Sequence, residues 1–230
     1  QLPNRPDAML AIFDLDETLI AGDSSHLFAH YLVDQGVVRD PDFLQANARF
    51  MADYAAGCLN LADYMTHNLA PLQGWSEEAV AALTGRFVSD IIAPRVLPGA
   101  RTLIDAHRQA GHGLLIISAT GEHLVLPIAR HLGIPDALGV EVLWEDGHLS
   151  GAIGTRTPFR EGKIRALQHW LEQPESDRKA WREWTFYSDS RNDLPLLQHV
   201  HRPVAVNPDA TLQAHAQAQG WPVLAFALPG

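Results

Sequence analysis

The feature that most constrains this chain is a recurring one, a short apolar run closed by a small polar or acidic residue. Met9 to Phe13 ends in Asp14, Leu114 to Ile117 in Ser118, and Pro203 to Val206 in Asn207. Thr185 to Tyr187 leads into Ser188 and Asp189. Runs that are apolar without alternation suit strands buried on both faces, as in a parallel sheet. Helical patterns fill the intervals at Ala100 to Gln109, His123 to Leu132 and Gly162 to Leu171. Strand and helix in alternation predict an α/β fold, a doubly wound (Rossmann-like) parallel sheet. Ligands of such sheets sit beyond the carboxyl ends of the strands. The polar residues that close the runs are therefore expected to meet in one crevice.

Two stretches break the alternation. Trp144 to Gly154 holds Asp146-Gly147 between short apolar residues, which predicts a hairpin. Residues 22–95 show no strand pattern. There Phe28, Tyr31 and Leu32 recur at helical spacing, as do Phe43, Phe50 and Tyr54, and Leu61, Tyr64 and Met65. Pro94 and Pro98-Gly99 close the segment. The expected organisation is an α/β core of residues 1–21 and 96–230, with residues 22–95 a helical cap over the crevice. Glu172 to Arg182 reads as a polar surface connection. Gln1 to Asp7 reads as a polar lead-in with two prolines, not a signal peptide.

The formal charge is −10 over 230 residues. That argues against nucleic acid or an acidic membrane as partner, since phosphates attract clustered Lys and Arg. A small phosphorylated metabolite stays open, because a metal ion can supply local positive charge. Cys58 is the only cysteine, so no internal disulfide can form and a reducing, cytoplasmic setting is expected. No apolar run approaches the roughly 18 residues of a membrane span. The sequence is silent on oligomeric state.

The chemistry concentrates in Ala11-Ile12-Phe13-Asp14-Leu15-Asp16-Glu17-Thr18-Leu19. A buried strand delivers two carboxylates, two positions apart. Like charges that close are costly to bury unless a cation joins them. Mg2+ suits hard carboxylate oxygens and also takes a phosphate oxygen. The first carboxylate can attack phosphorus, and the second can protonate a leaving alkoxide and later deprotonate water. A plain alternative is an acidic turn that caps a helix.

The pattern resembles the first motif of the haloacid dehalogenase (HAD) superfamily, and three further stretches resemble its other motifs in order. They are Ile116-Ile117-Ser118-Ala119-Thr120, then Gly162-Lys163, then Phe186-Tyr187-Ser188-Asp189-Ser190-Arg191-Asn192-Asp193-Leu194. The resemblance implies a phosphatase with Asp14 as nucleophile, Asp16 as acid and base, and Lys163 offsetting the charge of both nucleophile and phosphate. It implies that Ser118 and Ala119 bind phosphoryl oxygens, that Asn192 contacts the phosphate region and that Thr18 orients Asp16. It implies Mg2+ held by Asp14, the Asp16 carbonyl and Asp189, with Asp193 supporting the site or pairing with Lys163.

A cap between the first and second motifs is the arrangement of the phosphoserine-phosphatase-like branch. Within it, Gly22-Asp23-Ser24, Asp53-Tyr54, Leu97-Pro98 and Ile117-Ser118-Ala119-Thr120 resemble bacterial histidinol-phosphate phosphatases. Between Phe50 and Gly85 the chain has no Lys or Arg, and His67 is the one candidate cation. A cap of that kind lacks an anchor for a substrate carboxylate. Asp23 is either a receptor for a substrate ammonium or the N-cap of the helix that follows, and both roles are compatible. His26, Tyr54 and His67 are candidate pocket residues. The expected substrate is L-histidinol phosphate, with phosphoserine the alternative. A phosphotransferase and a non-catalytic metabolite-binding protein are the other readings. His107, His112, His123, His131, His199, His201 and His215 follow no zinc spacing and are read as structural or surface groups.

Overall fold

The computed structural model describes residues 8–174 and 177–230. The lead-in Gln1 to Asp7 lies outside these, as does part of the connection read at Glu172 to Arg182. The elements run β1 (Met9–Phe13), α1 (Ser24–Asp34), α2 (Phe43–Ala56), α3 (Leu61–Leu69), α4 (Glu77–Phe87), α5 (Pro98–Gln109), β2 (Gly113–Gly121) and α6 (Glu122–Leu132). Then come β3 (Asp136–Val140), β4 (Val142–Glu145), β5 (His148–Ile153), α7 (Gly162–Glu172), β6 (Glu183–Ser188), α8 (Leu194–His199), β7 (Arg202–Val206), α9 (Ala210–Gln219) and β8 (Val223–Leu224).

Six strands form one sheet in the order β3-β2-β1-β6-β7-β8, and every neighbouring pair is parallel. β1 sits inside the sheet because all its residues are apolar, so neither face tolerates water. Its alternate side chains feed two cores. Ala11 and Phe13 pack with α5, α6 and the helical segment, while Leu10 and Ile12 pack with α7, α8 and α9. Helices therefore cover both faces, as the doubly wound reading required. The chain order reverses at β1, whose neighbours β2 and β6 lie on opposite sides. Beyond its carboxyl end lies the crevice.

Two strands escaped the sequence reading. β3 begins with Asp136 and contains Gly139, so it lacks an apolar run. A Cβ on Gly139 would stand 2.7 Å from the Thr120 carbonyl oxygen, which explains why glycine sits in a strand here. β8 has two residues at the sheet edge. β2 also runs past its expected end at Ser118. Its register against β3 shifts between Ile117 and Gly121, so Ser118, Ala119 and Thr120 leave the regular ladder. Irregularities of this kind re-aim side chains beside functional sites.

Residues 24–95 contain helices and no strand. The β4–β5 hairpin turns at Asp146 and Gly147, both with positive φ, as a two-residue hairpin loop demands. It also pairs with the segment between α3 and α4. Gly74 N–H donates to the Leu149 carbonyl at 2.8 Å, and Leu149 N–H donates to that of Trp75 at 2.8 Å. Among the described residues no helix is long and apolar enough to cross a membrane.

Candidate active site

Asp14 follows β1 directly. Its N–H donates to the Tyr187 carbonyl on β6 at 2.9 Å, and the Tyr187 ring stacks on Phe13, so the backbone cannot swing. The residue is 4 % exposed. Lys163 comes to it from the first turn of α7, where a Cβ on Gly162 would lie 2.0 Å from the Thr157 carbonyl oxygen. That close approach of backbone admits glycine and seats the start of α7 against the loop. Lys163 Nζ donates to Asp14 Oδ1 at 3.0 Å and to Asp193 at 2.9 Å. Burial alone would lower the pKa of this ammonium, but Asp14 and Asp193 together hold it above its ordinary value. Asp193 is steadied in turn by the Ser188 hydroxyl at 2.7 Å.

Asp16 is held on both oxygens. Ser24 N–H donates to Oδ1 at 2.6 Å, and Thr120 Oγ1 donates to Oδ2 at 2.7 Å. Burial pushes its carboxyl above the ordinary range, and these bonds pull it part of the way back. A raised carboxyl pKa suits a group that must give up a proton and later reclaim one. The turn between Asp14 and Thr18 is strained, with Glu17 at φ 60°.

Thr18 departs from its expected part. Its hydroxyl donates to Asp189 Oδ1 at 3.0 Å, and the orientation of Asp16 falls to Ser24 and Thr120 instead. Thr120 lies two positions beyond Ser118, and the Ser118 hydroxyl accepts from Thr120 N–H at 3.1 Å. Asn192 is buried and donates through Nδ2 to the Tyr54 carbonyl at 2.9 Å, while the Tyr54 hydroxyl reaches Ser190 Oγ at 3.3 Å. Burial and the charges of Asp14, Asp193 and Asp189 raise the Tyr54 phenol well above its ordinary value, which puts that hydroxyl in the field of the acids. Ser24, Thr120, Ser190 and Tyr54 were not assigned these contacts from the sequence. The period-2 relation of Ser118 to Thr120 was the one usable signal.

Asp23 is the N-cap of α1, its Oδ1 accepting from His26 N–H at 2.9 Å. Burial first, then the charge of Asp16, raises its carboxyl pKa well above the usual range. Asp189 is raised similarly, by burial first and then by Asp14. Asp14 and Asp189, so crowded, fit a divalent cation, which would relieve the repulsion. Among the described residues no three His, Cys, Asp or Glu side chains converge as a ligand set. The set expected here contains only two side chains, Asp14 and Asp189, and a main-chain carbonyl from Asp16. The two oxygens of the Asp16 side chain are occupied by Ser24 and Thr120.

Residues 11–198 match the sequence profile of the haloacid dehalogenase-like hydrolases. The chain belongs to that family. It is 41% identical over 219 residues to a histidinol-phosphatase of Neisseria meningitidis serogroup C (strain 8013), covering 94% of this chain and 98% of that protein. It is 33% identical to the phosphoserine phosphatase SerB1 of Mycobacterium tuberculosis (strain ATCC 25618 / H37Rv), covering 94% of this chain and 70% of the relative. The crystal structure of a protein with unknown function from Bordetella pertussis Tohama I superposes with a TM-score of 0.86 at 34% identity. That match covers 94% of this chain and 98% of the other. The matched segment contains Asp14, Ser118, Lys163 and Asp189, which stand on or beside β1, β2, α7 and β6.

Proposed function

We propose that this hydrolase is a Mg2+-dependent phosphomonoester phosphatase that works through a phosphorylated Asp14, and that its substrate is L-histidinol phosphate. The observation that carries the chemistry is the contrast between Asp14 and Asp16. Asp14 is ion-paired with an ammonium 3.0 Å away, while Asp16 has no such partner and is buried with its carboxyl pushed up. One is built to attack and the other to carry a proton.

In the first step an Asp14 oxygen forms a bond to phosphorus as the bond to the substrate alcohol breaks. Asp16 delivers its proton to the departing oxygen. In the second step Asp16 takes a proton from water, the water oxygen bonds to phosphorus, and inorganic phosphate leaves as Asp14 is restored. Lys163 fixes Asp14 and offsets the negative charge that accumulates, and Ser118, Ala119 and Asn192 line the phosphoryl region. Mg2+, when bound by Asp14, Asp189 and the Asp16 carbonyl, supplies further positive charge to the phosphoryl oxygens. Residues 22–95 act as the cap that shuts out bulk water. The lone, exposed thiol of Cys58 fits a cytoplasmic setting.

The choice of substrate rests on charge. Asp23 would meet a substrate ammonium, and the lack of Lys and Arg between Phe50 and Gly85 leaves a substrate carboxylate unpaired. The N. meningitidis relative supports the same choice. L-Phosphoserine is the second reading, favoured by the M. tuberculosis relative. A panel of phosphomonoesters assayed with Mg2+, with and without an added acceptor alcohol, tests both readings and separates hydrolysis from phosphotransfer. Asp14→Asn should lose more than about a thousandfold in kcat, roughly 4 kcal/mol of barrier. A folded Asp14→Asn protein with near-normal phosphate release would sink the mechanism.

A further inference from the structure

Buried polar groups are almost always paired, because an unpaired one keeps the whole cost of leaving water. Among the described residues, the buried side-chain atoms that lack a partner are Asn47 Oδ1, Tyr64 Oη, His67 Nε2, Asn68 Nδ2 and both ring nitrogens of His123. They are not scattered. Tyr64, His67 and Asn68 lie on α3, Asn47 on α2, and His123 in the first turn of α6 facing them. Asn68, His123 and Ser25 line one enclosed cavity walled by Phe28. The Tyr64 hydroxyl faces Ser25 and Asn68 and interacts with both, in the field of Asp23 and Asp16, with neither contact reaching full hydrogen-bond geometry.

The cluster is joined to the chemistry. Ser25 Oγ reaches Thr120 Oγ1 at 3.5 Å, and Thr120 donates to Asp16 at 2.7 Å. It therefore begins beside the acid that protonates the leaving group, where the organic part of a substrate must lie. Its chemistry is neutral. Burial drives the His123 imidazole down to about 4 and lowers His67 as well. A neutral imidazole offers one N–H and one bare nitrogen, Asn68 offers an amide N–H, and Tyr64 can give or accept.

We infer that Tyr64, Asn68 and His123 form the subsite that reads an uncharged nitrogen heterocycle, of imidazole type, on the leaving alcohol. The inference rests on the phosphatase reading above and deepens it. A neutral azole carries one donor and one acceptor, which this set complements without a charge. A carboxylate against Tyr64, Asn68 and His123 would stand in the field of Asp23, while the cation beside the cluster, Arg49, acts on His67. With α3 where it stands, the cavity takes only a water-sized guest of about 10 Å³, so such a subsite requires α3 to give way as the substrate enters.

The test compares Tyr64→Phe, Asn68→Leu and His123→Leu with the parent enzyme on L-histidinol phosphate and on O-phosphoethanolamine, which keeps the amine and lacks the ring. Each variant should lose about 10–100-fold in kcat/KM on the first substrate, mostly through KM, and less than about threefold on the second. Tm of ligand-free Tyr64→Phe and His123→Leu should hold or rise, because the polar atoms removed complete no hydrogen bond. L-Histidinol should raise the Tm of the parent enzyme, ethanolamine should not, and Asn68→Leu should abolish the difference. Equal losses on both substrates with a lower Tm would make the cluster structural and overturn the inference. Unchanged kinetics would leave it holding a buried water only, which overturns it too. A parent enzyme that turns over both substrates with equal kcat/KM would end this inference and leave the phosphatase reading intact. That reading fails on a different result, an active Asp14→Asn.

Discussion

The amide of Asn192 donates to the main-chain carbonyl of Tyr54 across 138 positions of sequence, at 2.9 Å. It ties the last turn of α2 to the loop that follows β6, and so ties the helical segment to the acids at the crevice. The Tyr54 hydroxyl adds a longer bond to Ser190.

Asn192→Ala should therefore loosen closure. A neutral hydrogen bond is worth about 1 kcal/mol net, so kcat/KM should fall about three- to tenfold from this contact alone. Amide exchange across residues 43–56 should quicken in the variant. Tyr54→Phe keeps the carbonyl and should cost less. Exchange that is unchanged in Asn192→Ala would show that the bond does not hold the segment down.

Lys163 is 1 % exposed and is shared by Asp14 and Asp193, so Lys163→Met leaves two buried carboxylates without their ammonium. Removing one partner of a buried ion pair costs about 3–5 kcal/mol. Urea unfolding should show a loss of that size, and activity should vanish with it. Mg2+ should raise the Tm of the parent protein and chelation should abolish turnover, since the cation relieves the same crowding. Full activity after exhaustive chelation would contradict the metal assignment.

Much of this site was legible because its logic is local. A buried strand that stops at Asp14 must put its next polar residues at the sheet's carboxyl edge, and the same holds for Ser188 and Asp189. What could not be read was contact between distant positions. Thr120 meets Asp16 across 104 positions, and Thr18 turns to Asp189 across 171. Neither choice is encoded in periodicity, because each depends on the bulge in β2 and the strained turn at Glu17. β3 was hidden by Gly139, which is there for close packing and weakens the strand signal. The hairpin was visible through Asp146-Gly147, whereas its pairing with Gly74 and Trp75 was not.

His107 should govern acid stability. It is buried between Tyr187 Oη and His112 Nδ1, each at 2.8 Å, and burial together with His112 lowers its pKa to about 4. The unfolded histidine titrates near 6.5, so the unfolded chain binds the extra proton first as pH falls. The stabilising contribution is complete above about pH 6.5 and is lost progressively down to about pH 4. Between pH 7 and pH 5 this histidine alone should remove about 2 kcal/mol from the unfolding free energy. His123, also lowered to about 4, should act in the same direction. Urea melts at the two pH values measure the sum, and His107→Gln should flatten the profile. An unchanged slope in that variant would assign the acid sensitivity elsewhere.

Asp23 carries two duties that one substitution can separate. Its Oδ1 caps α1 by accepting from His26 N–H, and its charge would meet the substrate ammonium. Asparagine caps a helix about as well as aspartate does, so Asp23→Asn keeps the first duty and removes the second. It also relieves a carboxylate that is buried beside Asp16, so stability should hold or rise. Losing a charged partner in a closed site costs a few kcal/mol, so kcat/KM on L-histidinol phosphate should drop by about a hundredfold. p-Nitrophenyl phosphate has no ammonium and should be turned over within about threefold of the parent rate, because the helix cap and the hydrogen bonds that hold Asp14 and Asp16 remain. Asp23→Ala, which loses both duties, should match the asparagine variant in selectivity and fall below it in stability by about 1 kcal/mol. If Asp23→Asn slows both substrates alike, the carboxylate serves the catalytic acids rather than the amine. The choice of an amino alcohol phosphate would then lose its electrostatic support.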